Sequence, residues 1–428
     1  MDHSMEIARD VLDLLFPPSA TAGVSFQLWD GSAWREEGRK KATIVLKHPG
    51  ALRRMFLPGT EVGLAEAYLY DDFDVRGDME SVVALQDQLI DHQPGFLQKV
   101  KLASQLRKLP DQKRARPDGR GRAHLAGERH SIERDRQAIS YHYDVSNDFY
   151  ALWLDKRMVY SCAYFHSAND SVDQAQEQKL DYICHKLRLR SGQRFLDVGC
   201  GWGGLVIYAA EHYGVRAEGI TLSQPQAELA NERIRQAGLQ SRCSVAIKDY
   251  RELKDFESFD ALASVGMFEH VGEAKLPEYF RQAYHLLRPG GAFLNHGITR
   301  RAIDPPDAPG SFSDAYVFPD GELTPISASL QVAEQTGFEL RDVESLREHY
   351  AMTLRHWVRR LESSHEEALK HIPEPTYRVW RLFMSGSAHG FSVGRLNVHQ
   401  SLLVKPDQQG KCGLPLTRAD LYERFPVA

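Results

Sequence analysis

The sequence predicts an α/β protein whose larger part is a doubly wound parallel sheet, preceded by a small α+β domain. Three observations carry this. The stretch Arg194-Phe-Leu-Asp-Val-Gly-Cys-Gly-Trp-Gly-Gly204 is an apolar run that stops at a glycine cluster, and the helical pattern of 205–210 follows it, giving strand, tight turn and helix N-terminus. Beyond it, apolar runs of strand length alternate with amphipathic runs of helix length as far as residue 296. Finally, 428 residues exceed one ordinary domain, and the composition changes abruptly between residues 99 and 136.

Each element follows from its pattern. Residues 5–16 read as an amphipathic helix; Val24, Phe26 and Leu28 alternate with other residues as a strand over 24–29; Asp30-Gly31 supplies a turn, and 42–46 is a second strand. Residues 63–70 and 79–90 read as helices, closing an N-terminal α+β domain that is taken as 1–98. Then Lys99, Lys101, Arg107, Lys108, Lys113, Arg114, Arg116, Arg120, Arg122, Arg129, Arg134 and Arg136 far outnumber the acids, while Pro110, Pro117, Gly119 and Gly121 break any helix between them. Residues 99–136 are therefore expected to be a basic flexible linker. Each basic residue near an anionic membrane contributes about 1 kcal/mol, so the segment suits reversible attachment to a lipid surface. No aromatics are interleaved for stacking on nucleic-acid bases.

The rest, 137–428, is the predicted catalytic domain. A helix over 172–187 leads into the glycine stretch. Strands are expected over 215–221, 243–247, 259–265 and 291–296, with helices over 224–237 and 276–287. An insertion-like region over 317–360, a helix over 377–384 and a partly alternating strand over 396–404 complete the chain. A composition of 42% hydrophobic and 26% charged residues is that of a soluble globular protein. No apolar run approaches the roughly 18 residues of a bilayer-spanning helix, and the first residues lack a basic segment followed by an apolar core. The five cysteines (Cys162, Cys184, Cys200, Cys243, Cys412) form no C-x-x-C pair, so neither disulfides nor a metal site is expected and a cytoplasmic location fits. A net charge of -5 gives no global field for nucleic acid.

The glycine spacing also satisfies the dinucleotide pattern G-x-G-x-x-G and is weak evidence alone. Asp197, two residues before Gly199, is more informative. A carboxylate at a strand tip sits badly beside a pyrophosphate and well beside a cationic, hydroxyl-bearing ligand. S-adenosylmethionine carries an ammonium, a sulfonium and a ribose without phosphate, so it is favoured over NAD. Gly199, Gly201 and Gly203 let the backbone approach the ligand. After the next strand, where ribose recognition falls, there is no acid; Glu218 lies inside the strand by alternation.

Several motifs in order over residues 139–405 resemble the cyclopropane-fatty-acyl-phospholipid synthases and the related mycolic acid cyclopropane synthases. They are Tyr141-His-Tyr-Asp144, Tyr160-Ser-Cys-Ala-Tyr164, the glycine stretch, Gly219-Ile-Thr-Leu-Ser223, Asp249-Tyr-Arg251, Ser264-Val-Gly-Met-Phe-Glu-His-Val-Gly272, Leu294-Asn-His-Gly-Ile298 and Tyr316-Val-Phe-Pro-Asp-Gly321. Gly63-Leu-Ala-Glu-Ala-Tyr68 looks like the small N-terminal domain of the phospholipid-acting members. The resemblance implies an S-adenosylmethionine-dependent methyltransferase fold. It also implies methyl transfer to a cis double bond of an acyl chain, followed by proton loss from the carbocation and closure to a cyclopropane. For the cofactor it implies Thr221 and Gln226 at the ribose, Leu222 among the cofactor-binding residues, Tyr160 and Ser161 over the methionine part, and Tyr250 and Arg251 beside the adenine. For the base it implies a bicarbonate ion held by Cys162, Glu269, His296, the backbone around Ile298, and Tyr350. It further implies a homodimer working at the inner face of the membrane.

Against these stand plainer readings. Tyr160 and Tyr250 suit ordinary core packing, and a lone Cys162 is most often a buried small hydrophobe. His270 is assigned to packing or support. Tyr141, Tyr143, Tyr164, Phe165, Phe268 and Tyr316 are candidates for lining an acyl slot, where ring faces stabilise cations. Ser392 stands where typical synthases often carry Arg, which keeps open a methylene- or methyl-branched product from the same methyl transfer. A non-catalytic lipid-binding protein is the reading of another class, opposed by the intact Cys162, Glu269, His296 and Tyr350. An NAD oxidoreductase is opposed by Asp197 and the missing ribose acid.

Overall fold

The computed structural model describes residues 3–16, 23–35, 40–91, 95–112, 118–305 and 310–421. In chain order these begin with α1 (His3–Leu15), β1 (Val24–Gln27), β2 (Ala33–Trp34), β3 (Ala42–Leu46), α2 (Ala51–Phe56), α3 (Glu61–Leu69), β4 (Phe73–Gly77), α4 (Met79–Asp91) and α5 (Phe96–Lys108). There follow α6 (Ile132–Tyr143), α7 (Asn147–Ala151), α8 (Val172–Lys186), β5 (Arg194–Val198), α9 (Gly204–Tyr213), β6 (Arg216–Thr221), α10 (Gln224–Gln236), β7 (Cys243–Ile247), β8 (Phe259–Val265), α11 (Leu276–Leu286) and β9 (Leu287–Arg300). The last are α12 (Phe312–Tyr316), α13 (Ile326–Thr336), β10 (Glu339–Ser345), α14 (Arg347–Ser363), α15 (His365–Ala368), α16 (Glu374–Ser392) and β11 (Leu396–Val404).

The chain forms two compact units. The first comprises Met1–Ala123, Pro309–Val317 and Leu361–His389. Its sheet has the order β2-β1-β3-β4, with β1 and β3 parallel. Ile7, Ala8, Val11 and Leu12 recur at helical spacing and give α1 its buried face. The Thr60 hydroxyl caps α3 by accepting from Gly63 N at 3.1 Å. Two strands beyond those expected are β2, only two residues long, and β4, in which Phe73 and Val75 are buried between outward Asp74 and Arg76. Residues 99–136, read as a linker, hold most of α5 and the first turns of α6; Lys113, Arg114, Arg116 and Pro117 lie outside the described residues.

The unit is not contiguous in sequence because a late segment satisfies its backbone. Arg378 Nη1 donates to Tyr68 O at 2.8 Å. Arg381 Nη1 donates to Val75 O at 3.1 Å and to Tyr68 Oη at 3.0 Å, while its Nε donates to Glu362 Oε1 at 2.7 Å. Both guanidiniums are buried. Removing one partner of such a buried network leaves carbonyls and a carboxylate unsatisfied. Arg381→Ala is therefore expected to lower unfolding free energy by about 3 kcal/mol, read as a shifted urea midpoint; an unchanged midpoint would show that α16 does not hold this unit together.

The second unit comprises His124–Ala308, Phe318–Arg360 and Gly390–Ala428. Its seven-stranded sheet has the order β10-β11-β9-β8-β5-β6-β7. The five strands β5 to β9 are parallel; β11 runs antiparallel to β9, and β10 antiparallel to β11. The parallel doubly wound core is thus as expected, with an antiparallel edge added. That edge begins inside the region read as an insertion: β10 is Glu339-Leu-Arg-Asp-Val-Glu-Ser, a charged edge strand whose pattern gives little apolar signal. From β5 the chain steps to β6 on one side, while β8 pairs on the other, so the carboxyl end of β5 opens at a topological switch point.

Candidate active site

The turn after β5 carries left-handed backbone at Gly199 (φ 81°), Gly201 (φ 53°) and Gly203 (φ 78°). They do different work. A side chain on Gly199 would meet Met267 Cβ at 2.8 Å, whereas one on Gly201 would meet nothing within 4 Å, so Gly201 is the glycine that leaves the backbone open to a ligand. Gly203 is the N-cap of α9, where a side chain would meet Ala230 Cβ at 3.1 Å, and it does not line the cleft. The cleft at this switch point is lined by Tyr160, Ser161, Asp197, Gly199, Gly201, Thr221, Leu222, Gln226, Tyr250 and Arg251. Every other expected cofactor residue is therefore in its wall.

Asp197 is buried and its Oδ1 has no hydrogen-bond partner in the protein. Burial pushes its carboxyl up to about 7, against the pull of Lys179. Lys179 is itself buried on α8; its Nζ donates to Ser161 Oγ at 2.8 Å, and burial lowers its ammonium to about 8 despite Asp155, Cys162 and Asp197. Thr221 Oγ1 donates to Gln226 Oε1 at 2.7 Å, fixing the pair at the end of β6. The Arg251 guanidinium is clamped by Asp249 through Nε to Oδ1 at 2.8 Å and Nη2 to Oδ2 at 2.7 Å, and by Asp135 Oδ2 at 2.8 Å. It serves the cleft as a braced wall with its charge already neutralised. An unpartnered buried carboxyl oxygen, an open left-handed glycine and aromatic walls fit a cation-bearing nucleoside.

The five residues expected around the base do not line this cleft but adjoin it in the fold. Glu269 follows the cleft residue Met267, and its Oε1 accepts from Ile298 N at 2.6 Å, so the Ile298 N–H is used to hold Glu269. Although the residue is half-exposed, its Oε2 is buried without a partner, and burial pushes the carboxyl up to about 7. His296 lies two residues before Ile298 on β9; it is buried, its Nδ1 meets Gln400 Nε2 at 3.2 Å and its Nε2 is unpartnered. Burial holds its imidazole well below the ordinary range. The Tyr350 phenol is raised by burial and by the fields of Tyr160, Cys162, Glu269 and Tyr143, which places these groups around it. The Cys162 thiol is turned to Ala163 O at 3.3 Å and Leu346 O at 3.7 Å, and burial keeps it protonated.

Of the six aromatics considered for an acyl slot, only Tyr143 lines the cleft. Phe268 is core, 6.2 Å from the Tyr279 ring; Tyr164 and Phe165 stack on His349 of α14. Tyr316 belongs to the first unit, where its hydroxyl donates to Glu66 Oε1 at 2.7 Å.

The mycolic acid cyclopropane synthetase family model matches residues 130–401. The chain belongs to that family. It is 40% identical over 399 residues to a probable fatty acid methyltransferase of Pseudomonas putida, covering 92% of this chain and 95% of that one. It is 32% identical over 379 residues to the cyclopropane-fatty-acyl-phospholipid synthase of Escherichia coli K12, covering 87% and 90%. Among solved structures, a mycolic acid cyclopropane synthase complexed with SAH and CTAB superposes with a TM-score of 0.59 at 31% identity, covering 63% of this chain and 97% of that one. The fold is accordingly that of the S-adenosylmethionine-dependent methyltransferases, and this family member is one of them.

Sequence reading missed several residues of the site. Asp135, Lys179 and Asp249 line the cleft, as does His270, assigned on sequence to packing or support; burial lowers its imidazole to about 4, leaving it neutral. A signal for Lys179 was available: with Val172, Ala175, Gln176 and Ile183 it occupies the buried stripe of α8, where an unpaired lysine is out of place. An Asp197 carboxyl raised to about 7 is expected to give cofactor binding a pH response. Its ionised form favours the cationic cofactor, so affinity measured by calorimetry is expected to be full above pH 7 and to fall about tenfold per unit below it. Asp197→Asn should give a weaker, flat profile; a pH-dependent Asp197→Asn would remove Asp197 from this role.

Proposed function

We propose that the protein transfers a methyl group from S-adenosylmethionine to a cis double bond of a phospholipid acyl chain and directs proton loss so that the product closes to a cyclopropane. The observation that carries this is the pair of buried polar atoms without partners beside the cofactor cleft, Glu269 Oε2 and His296 Nε2. A donor and an acceptor left open in a buried site fit a small oxyanion such as bicarbonate, with the Tyr350 hydroxyl as a further donor. Bound S-adenosylmethionine supplies an electrophilic methyl, and bound bicarbonate a base small enough to work beside an acyl chain.

The chain's own residues then have distinct tasks. Asp197 and the glycine turn orient the cofactor, with Ser161 fixed by Lys179. Tyr143 and Tyr160, whose rings are 6.1 Å apart and edge to face, line the cleft next to the groups around Tyr350 and present π-faces to positive charge. Glu269, with a carboxyl near 7, exchanges a proton readily at neutral pH, as a group that relays the proton must.

A branched product of the same methyl transfer is the second reading. It is favoured by the fatty acid methyltransferase relative and by Ser392, whose Oγ accepts from Arg355 Nη2 at 3.1 Å. Labelled S-adenosylmethionine and vesicles of cis-monounsaturated phospholipid separate the two by NMR of the acyl esters. Cyclopropane methylene signals are expected; an exocyclic alkene or branched methyl selects the second reading, and absence of label in any lipid defeats both. Glu269→Ala should bind cofactor normally while methyl transfer falls by about 100-fold or more; a collapse in cofactor affinity instead would misassign Glu269.

The lipid surface is proposed to be met by α5. Phe96, Leu97 and Val100 are 79%, 81% and 52% exposed, beside the exposed Lys99 and Lys101. Leu106 and Leu109 at its other end are buried, so the apolar exposure is confined to the first turns. Apolar side chains flanked by lysines suit the boundary of an anionic bilayer. No helix among the described residues is long and apolar enough to cross one. Phe96→Ser with Leu97→Ser should weaken vesicle binding about tenfold or more even in high salt, where the lysines are screened. Unchanged sedimentation with vesicles would move the contact elsewhere.

A further inference from the structure

Lys186, at the end of α8, is fully removed from water, and its ammonium lies 2.9 Å from Gln400 Oε1, 2.6 Å from Glu344 Oε2 and 3.5 Å from Asp342 Oδ2. An ammonium can only donate, so the Gln400 atom facing it must be the carbonyl oxygen. The other end of that amide, its NH2, therefore meets His296 Nδ1 at 3.2 Å. An amide NH2 also only donates, which obliges Nδ1 to accept. The imidazole proton is left on Nε2, the atom that is buried without a protein partner.

The arrangement is built into the sheet. Gln400 on β11 stands directly across from His296 on β9, so the two side chains are a cross-strand pair, and Gln400 is fully buried. We infer that Lys186 and Gln400 are positioning residues that fix His296 as the neutral Nε2–H tautomer, making it an obligate hydrogen-bond donor to the anion site and barring it from acting as the base. A second proton on Nδ1 would face the amide NH2 with no acceptor, so the imidazolium is opposed by the same polarity. The tautomer follows from the geometry alone; what Nε2–H donates to rests on the function proposed above.

The test is long-range 1H–15N correlation of the full-length protein labelled in histidine, with His296 assigned by its disappearance in His296→Asn. The expected wild-type signal has Nδ1 unprotonated and Nε2 protonated at neutral pH. Gln400→Glu keeps an oxygen for Lys186 but turns an acceptor toward His296, and should protonate Nδ1. Methyl transfer should then drop by about 100-fold with cofactor affinity unchanged. A wild-type signal with Nδ1 protonated, or an unaltered tautomer in Gln400→Glu, overturns the relay, and the wild-type spectrum decides even if that variant does not fold. A shifted tautomer with full methyl transfer supports the relay while removing His296 from the proposed reaction.

Discussion

Two ammonium groups on one helix, both taken out of water, impose the strongest demand in the second unit. Lys179 and Lys186 lie on the buried side of α8, seven residues apart, which is about 10.5 Å along a helix. Each costs several kcal/mol to bury unless charges and hydrogen bonds answer it. The groups that answer Lys179 are Ser161, Asp155 and Asp197, on the cofactor side. Those that answer Lys186 are Gln400, Glu344 and Asp342, behind His296. One helix, started by the Ser171–Gln174 capping box, thus sets both the polarity of the cofactor cleft and that of the adjoining site.

Burial drives most ionisable groups of the site toward neutrality. Asp197 and Glu269 rise to about 7, His270 falls to about 4, and the phenols of Tyr143 and Tyr350 keep their protons. For the two carboxyls the linkage has a definite sign. The folded chain keeps protons there that the unfolded chain releases, so stability declines as pH rises from the ordinary carboxylate range through about 7. A cationic ligand beside Asp197 reverses that loss by favouring the ionised form. The site is accordingly less stable alone than with the ligand it is shaped for, as expected of groups retained for binding and not for folding.

Sequence pattern was sufficient where chemistry is local. The glycine turn, the parallel strands and the expected cofactor residues of the cleft wall other than Gly203 follow from short-range periodicity and from motifs with fixed spacing. It was insufficient where the determining partner is distant. Arg378 and Arg381 attach a late segment to the first unit through carbonyls of residues 68–77, and nothing local announces that pairing. β10 is hidden because an edge strand carries charges in place of an apolar alternation. Gln400 is likewise silent until the register of β11 against β9 sets it opposite His296. Tyr316, named on sequence among the candidate aromatics, folds with the first unit, another grouping that no local pattern announces.

The proposed chemistry places a carbocation among side chains that are ordinarily nucleophiles, and the structure disarms each of them. The Cys162 thiol is protonated and directed at two backbone carbonyls. Glu269 has one oxygen anchored by the Ile298 N–H and a carboxyl that is partly protonated at neutral pH. His296 has its basic nitrogen occupied by Gln400 and turns only N–H outward. The phenol of Tyr350 stays protonated. A site that must let a cation persist long enough to lose the right proton needs walls that donate hydrogen bonds and present π-faces without forming a bond. In the proposed reaction such walls would suppress capture by the protein and leave the proton to the small base that the donors would hold.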